Sequence, residues 1–201
     1  MWSLSVRRFS GCHVVLTPRD RFHHGRDTLS APEPRRSPRL TPMPRVVLMC
    51  GPAGSGKSTV ARGLEEQGFV RLSFDTEIWR RGLASPLEPE VHAEIEATLQ
   101  DQLLRHVAAG TDVVLDFSFW SRDMRARYRA LLSPVVPETW YLDTDRATAL
   151  ARVRARAGAH ADDVPLSPAL AARYFDHFEA PTAAEGPLRR IPGGATGPGE
   201  H

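Results

Sequence analysis

The chain has 201 residues and a formal net charge of +2, which predicts one domain with tails and gives little support to nucleic-acid binding. Its two cysteines, Cys12 and Cys50, provide neither a disulfide framework nor a metal-binding spacing, so we expect a protein of the reducing cytoplasm. No stretch approaches the roughly 18 uninterrupted apolar residues of a membrane span, so we predict no membrane segment.

The N-terminal segment differs in composition from the rest of the chain. Residues 1–43 are rich in Arg, Pro and Ser and lack apolar periodicity, so we expect a disordered extension. An Arg-rich, acid-poor N-terminus is also typical of a transit peptide. We favour a start codon assigned too early, because Met43 stands just before the first predicted strand. We therefore expect a single domain over 44–186 and a disordered tail over 187–201.

Strands and helices alternate along the predicted domain. The apolar run RVVLMC predicts a strand buried on both faces, and a helix is expected to follow from Ser58. Further strands are predicted at FVRLS, TDVVLDF and TWYLD, with helices between them and the longest helix from Glu88 to Ala109. This alternation predicts an α/β fold with a parallel sheet covered on both faces. The ligand site of such a sheet lies at the carboxyl ends of its strands.

The stretch GPAGSGKS fits the phosphate-binding pattern G-x-x-x-x-G-K-[ST], with a strand before it and a helix after it. Its glycines allow backbone N–H groups to surround phosphate oxygens, and the helix N-terminus adds partial positive charge. Lys57, the only lysine in the chain, is expected to reach the β- and γ-phosphates, and the Ser58 hydroxyl to bind Mg²⁺. The predicted nucleotide-binding residues are Gly51, Pro52, Ala53, Gly54, Ser55, Gly56, Lys57, Ser58 and Thr59.

Two acidic residues follow predicted strands. Asp116 closes the third strand and is expected to hold the magnesium together with Ser58, unless it is a solvated strand end. Asp75 lies just past the second strand and is a candidate for the base that accepts a proton from an attacking substrate hydroxyl. The alternative for Asp75 is capping of the helix that follows, and the two roles are compatible.

Arginines and one tryptophan complete the candidate site. Arg152 and Arg156 share a helix face and lead into a polar loop, where they could stabilise charge on a transferred phosphoryl group. A solvated helix face is the alternative in a chain this rich in arginine. Trp120, Arg122 and Arg125 follow the third strand, where a second substrate would bind, although Trp120 could also belong to the core.

Two sequence motifs that define known classes of nucleotide-binding protein are missing from this chain, which excludes those classes. The guanine-specific motif N-K-x-D cannot occur, because the only lysine lies in the phosphate loop. The transporter signature L-S-G-G-Q is also absent from the sequence. These observations favour the small-kinase size class.

Several stretches resemble, in the same order, those of small bacterial P-loop kinase-like proteins that carry an ATP-binding or AAA-family ATPase label. These proteins are relatives of zeta toxins, chloramphenicol phosphotransferase and polynucleotide 5′-kinases. The matching stretches are GPAGSGKST, RLSFDTEIWRR, VVLDFSFWSRDMRARYRALL, YLD followed by RVRAR, and FEAP. The resemblance covers about Arg45 to Pro181. It implies a three-layer αβα kinase fold, the cofactors ATP and Mg²⁺, Asp75 as general base, and Arg152 and Arg156 as lid arginines.

Two positions depart from the resembling families. Polynucleotide kinases have an arginine three residues after the Asp, where this chain has Ile78, so Arg80 or Arg81 would have to take its place. Close relatives often have Asn where this chain has Ala157.

The sequence and the resemblance together predict an ATP-dependent phosphotransferase that acts on a hydroxyl of a small molecule. A sugar nucleotide, a nucleoside or an antibiotic is the expected acceptor, and the protein is expected to be a monomer or a homodimer. The alternatives are a polynucleotide 5′-kinase and an ATP-binding regulatory module that has no phosphoryl acceptor.

Overall fold

The computed structural model describes residues 43–83, 86–155 and 167–193, in which strands and helices alternate. The strands are β1 (Val46–Cys50), β2 (Val70–Ser73), β3 (Val113–Asp116), β4 (Glu138–Asp143) and β5 (Leu188–Pro192). The helices are α1 (Lys57–Glu66), α2 (Phe74–Arg80), α3 (Pro89–Ala108), α4 (Arg122–Leu132), α5 (Arg146–Ala155) and α6 (Pro168–Asp176), and a 3₁₀ turn spans Ala183–Glu185. Across the described part of the chain, no helix has the length and apolar character of a membrane span.

The five strands form one parallel sheet in the order β2-β3-β1-β4-β5. The central strand β1 pairs with β3 from Val46↔Val113 onward and with β4 from Val47↔Glu138 onward. All five residues of β1 are buried, as expected of a parallel strand with helices on both faces. The predicted fold class, an α/β fold with a mostly parallel sheet, is confirmed.

The core consists of two layers, one on each face of the sheet. Side chains alternate along a strand, so Leu48 joins a cluster with Ile95 of α3, whereas Met49 joins a second cluster with Leu64 of α1. Cys50 at the end of β1 is buried, and this burial raises the pKa of its thiol to about 11. The helices on each face thus fix the position of the loop that connects β1 to α1.

The strand β5 corrects the expected boundary of the domain. It lies within 187–201, which we expected to be a disordered tail, and it pairs with β4 from Thr139↔Leu188 to Asp143↔Pro192. The fold therefore continues beyond Gly186. The sequence signal for this strand is weak. It is a short edge strand that follows Gly186 and Pro187, ends at Pro192 and has two exposed arginines in the middle.

Candidate functional site

The loop between β1 and α1 has a backbone that glycine adopts more readily than other residues. Gly54 and Gly56 have φ values of 78° and 98°, in the left-handed region. A Cβ atom on Gly54 would also collide with the carbonyl oxygen of Ala149, so the loop packs directly against α5. A loop of this conformation can aim consecutive backbone N–H groups at an anion.

The polar side chains of this loop fit a phosphate ligand. The Nζ of Lys57 donates a hydrogen bond to the carbonyl oxygen of Pro52 at 2.9 Å, so the lysine folds over the loop. The Ser55 hydroxyl is buried and has no hydrogen-bond partner among the described residues. Because a buried hydroxyl without a partner costs free energy, an oxygen-rich ligand in the loop would stabilise Ser55.

The two residues predicted to bind magnesium lie together. The Ser58 hydroxyl at the start of α1 donates to Oδ1 of Asp116 at the end of β3, at 3.3 Å. The Asp116 side chain is only 2% exposed, so it is not the solvated strand end of the alternative interpretation. Hydroxyl and carboxylate oxygens are ligands that Mg²⁺ prefers, and the pair therefore fits the metal.

Arg71 of β2 also contacts Asp116, a role that was not predicted from the sequence. Its Nε and Nη2 donate to Oδ2 of Asp116 at 3.0 and 2.6 Å. The contact depends on β2 lying beside β3, where Ser73 is in register with Asp116. The strand order was not known from the sequence, although an arginine inside a strand near the phosphate loop was a visible signal.

Asp75 does not cap α2. The cap is Ser73, whose Oγ accepts a hydrogen bond from the backbone N–H of Thr76 at 3.4 Å. Asp75 lies in the first helical turn with an exposed side chain, at the same edge of the sheet as Asp116. Trp79, four residues later on the same helix face, is 58% exposed and is a candidate that the sequence analysis did not include.

Trp120 in the loop after β3 and Arg122 at the start of α4 are both exposed to solvent. The Trp120 side chain is 49% exposed and so does not belong to the core. The Arg122 side chain is 66% exposed. The backbone of this loop is held by Glu179, whose N–H donates to the Trp120 carbonyl at 2.9 Å and whose carboxylate accepts from the Arg122 N–H at 2.6 Å. Glu179 of the FEAP segment thereby fixes the backbone at two of the predicted substrate-binding residues, Trp120 and Arg122.

The prediction that Arg125 binds a substrate is wrong, because its side chain is fully buried. Its Nε and Nη2 pair with the Glu185 carboxylate at 2.7 and 3.1 Å. Its Nη1 donates to the carbonyl oxygens of Phe119 and Glu179 at 2.8 and 2.9 Å. Phe119 has a φ of 42°, unfavourable for a bulky residue, so Arg125 stabilises a strained turn beside the phosphate loop.

Arg80 and Arg81, which we considered as replacements for a phosphate-binding arginine, both pair with Glu77. Arg80 donates to the Glu77 carboxylate at 2.6 and 2.8 Å, and Arg81 donates to it at 2.7 Å. The hydrogen bonds from Arg80, with those from Arg81, lower the pKa of Glu77 to about 2. Arg81 also bonds Glu94 and Thr98, which ties α2 to α3.

Of the two predicted lid arginines, the structure describes only Arg152. Arg152 lies in the last turn of α5, three residues after Ala149, which contacts the phosphate loop at Gly54. Its side chain is half-buried, so it is not part of the core. Arg156 lies outside the described residues.

The sheet order and the loop between its central strand and α1 define a P-loop kinase-like fold. A family profile described as an AAA domain matches residues 46–181, and the chain belongs to this family. The resemblance inferred from short motifs is thereby confirmed. No curated protein matches the sequence at a significant level.

Solved structures of kinases and of other nucleotide-binding proteins share this fold. An unliganded sugar kinase from Janibacter sp. HTCC2649 is 22% identical, with a TM-score of 0.55 over 74% of this chain and 85% of the other. Chaetomium thermophilum Kti12 in complex with ADP-AlF3 is 17% identical, with a TM-score of 0.58 over 73% and 88%. The Mycobacterium tuberculosis APS kinase CysC with AMPPNP and APS is 19% identical, with a TM-score of 0.52 over 77% and 91%.

Proposed function

We propose that this protein is an ATP-dependent phosphotransferase that phosphorylates a hydroxyl group of a small molecule. The observation that carries the proposal is the contact between Ser58 of the phosphate loop and the buried Asp116 carboxylate. A hydroxyl and a carboxylate at these two positions form a magnesium site beside bound phosphates in P-loop enzymes. The kinase-like fold supports the same conclusion.

On the nucleotide side, the phosphate loop and Lys57 bind the β- and γ-phosphates through backbone N–H groups and one ammonium group. Mg²⁺, held by Ser58 and Asp116, would neutralise negative charge on the phosphate oxygens when bound. The Ser55 hydroxyl supplies a further donor inside the loop. Arg152 contributes positive charge from α5, on the side of the loop that Gly54 packs against.

On the acceptor side, Asp75 accepts the proton of the substrate hydroxyl as its oxygen attacks the γ-phosphorus. The bond between the γ-phosphorus and the bridging oxygen breaks, and ADP leaves with the electron pair. Trp120, Trp79 and Arg122 are exposed at this edge of the sheet and offer aromatic faces and a cation. Such groups suit a sugar nucleotide, a nucleoside or an antibiotic.

The test is a screen for transfer of labelled phosphate from [γ-³²P]ATP with Mg²⁺ to a panel of acceptors. The panel contains sugars and sugar nucleotides, nucleosides, antibiotics, and oligonucleotides with a 5′-hydroxyl, and one sample contains no acceptor. A labelled small molecule that is absent with the Lys57→Ala variant supports the proposal. Label on oligonucleotides alone would instead identify a polynucleotide kinase, and hydrolysis that no acceptor changes would identify a regulatory ATPase.

A further inference from the structure

The two oxygens of the Asp116 carboxylate accept hydrogen bonds from two different residues. Oδ1 accepts a hydrogen bond from the Ser58 hydroxyl at 3.3 Å. Oδ2 accepts both hydrogen bonds from Arg71, at 3.0 and 2.6 Å. The side chains of Arg71 and Asp116 are 10% and 2% exposed, so water has little access to replace either partner.

Because Arg71 bonds only one oxygen of Asp116 and leaves the other to Ser58, we propose that Arg71 is a positioning residue for the magnesium-binding carboxylate. It holds the Asp116 carboxylate in one orientation and directs Oδ1 towards Ser58, and the metal-dependent part of nucleotide binding therefore depends on Arg71. The inference rests on the proposed function, since it assumes that Ser58 and Asp116 bind Mg²⁺ together with a nucleotide.

The burial of Asp116 explains why it needs such a partner. An ionised carboxylate inside a protein is costly unless a cation or several hydrogen-bond donors compensate its charge. Arg71 supplies both, because its guanidinium is always charged and two of its N–H groups reach the same oxygen. A metal-binding carboxylate held in this way is pre-oriented before the metal arrives, and loss of the supporting group typically costs about 10- to 100-fold in metal affinity.

The sheet fixes where Arg71 can reach. Arg71 is in register with Val114, two residues before Asp116, so its side chain must extend along β3 to meet the carboxylate. Because it approaches Oδ2, it leaves Oδ1 on the side of Ser58. This geometry favours positioning over the rival interpretation, in which Arg71 competes with the cation for Asp116 and weakens metal binding.

The experiment compares ADP binding by the wild-type protein and Arg71→Met, using isothermal titration calorimetry in buffers with Mg²⁺ and with EDTA. Methionine keeps an unbranched side chain at this position but removes the charge and the donors. We expect Mg²⁺ to tighten ADP binding to the wild-type protein. In Arg71→Met the affinity with Mg²⁺ should fall about 10- to 100-fold, whereas the affinity in EDTA should change by less than about threefold.

Three further variants control for folding and for general charge effects. Arg71→Lys retains a positive charge but has one nitrogen in place of the fork, so its loss should be intermediate. Arg127→Met removes an exposed arginine of α4 and should change neither affinity. Arg71→Met added to Asp116→Asn should weaken Mg²⁺-dependent binding no further, because the carboxylate that Arg71 orients is already gone.

The possible outcomes separate this inference from the proposed function. An Arg71→Met protein that binds ADP with Mg²⁺ as tightly as the wild type, or more tightly, overturns the positioning role. If Arg71→Met does not fold, the same criterion applies to Arg71→Lys. A folded wild-type protein that binds no ADP in either buffer overturns the proposed function and this inference with it.

Discussion

Lys57 is the residue whose chemistry is most constrained by its place in the fold. Its ammonium lies over the phosphate loop, 2.9 Å from the Pro52 carbonyl oxygen. We predict that Lys57→Ala abolishes phosphate transfer, and that Lys57→Arg is also severely impaired because a planar guanidinium needs more room than an ammonium. Turnover of labelled ATP measures both effects, with Arg127→Met as a surface control. Full activity in the arginine variant would show that the loop tolerates the larger cation.

Asp75 and Asp116 are expected to fail in different ways when their charge is removed. Because Ser73 caps α2, Asp75→Asn should leave the melting temperature and ADP binding nearly unchanged. Transfer to the acceptor should fall by about 10²- to 10⁴-fold, the usual contribution of a positioned base. Asp116→Asn should instead weaken Mg²⁺-dependent ADP binding as well as turnover. An Asp75→Asn enzyme with normal turnover would exclude Asp75 as the base.

At the scale of structural elements, the Arg125–Glu185 pair connects α4 to the 3₁₀ turn. Because Arg125 is fully buried, we predict that Arg125→Met leaves Glu185 without its main partner and lowers the free energy of unfolding by about 3 to 5 kcal/mol. Arg127→Met on the same helix breaks an exposed pair with Asp123 and should cost less than about 1 kcal/mol. Urea unfolding of both variants tests the difference, and equal costs would contradict it.

The Glu77 cluster predicts an acid-dependent contribution to stability between α2 and α3. The pKa of Glu77 is lowered from 4.5 to about 2, so its ionised form is favoured in the folded state. This stabilisation is fully present above about pH 4.5 and is lost as the pH falls towards 2. Melting temperatures of wild type and Glu77→Gln should therefore differ most near pH 6 and converge only as the pH approaches 2. A constant difference over this range would show that ionisation of Glu77 contributes nothing.

The sequence predicted those features that depend on contiguous residues. The phosphate loop, four strands and the strand-end position of Asp116 follow from local pattern and from the rule for parallel sheets. The structural roles of Arg71 and Arg125 could not be predicted from the sequence, because they depend on which elements are neighbours in the fold. Their partners lie 45 and 60 residues away along the chain. An arginine is read as a surface residue by default, and both of these are buried.

For the molecule as a whole, β5 links the C-terminal part of the fold to the phosphate loop. The N–H of Gly193 donates to the Asp143 carbonyl at 2.8 Å, and a Cβ on Gly193 would collide with Thr144. The Thr144 hydroxyl in turn donates to the carbonyl oxygen of Ser55 at 3.3 Å. The end of β5 therefore packs on a residue that supports the nucleotide site, although it lies more than 130 residues further along the chain.

This connection predicts different outcomes for truncations at the two ends of the chain. A protein of residues 43–193 should match the full chain in melting temperature and ATP affinity, because residues 1–42 have the composition of a segment that joins no core. A protein of residues 43–186 lacks β5, exposes the edge of β4 and the Trp140 ring that Arg189 covers at 4.5 Å, and removes the support of Thr144. Its melting temperature should fall by about 10 °C or more, and its ATP affinity should fall as well.

Scanning calorimetry and ATP titration of the three proteins test this, with a protein of residues 43–201 as the control for the N-terminal deletion alone. If 43–186 binds ATP and melts like 43–193, β5 is dispensable and does not support the phosphate loop.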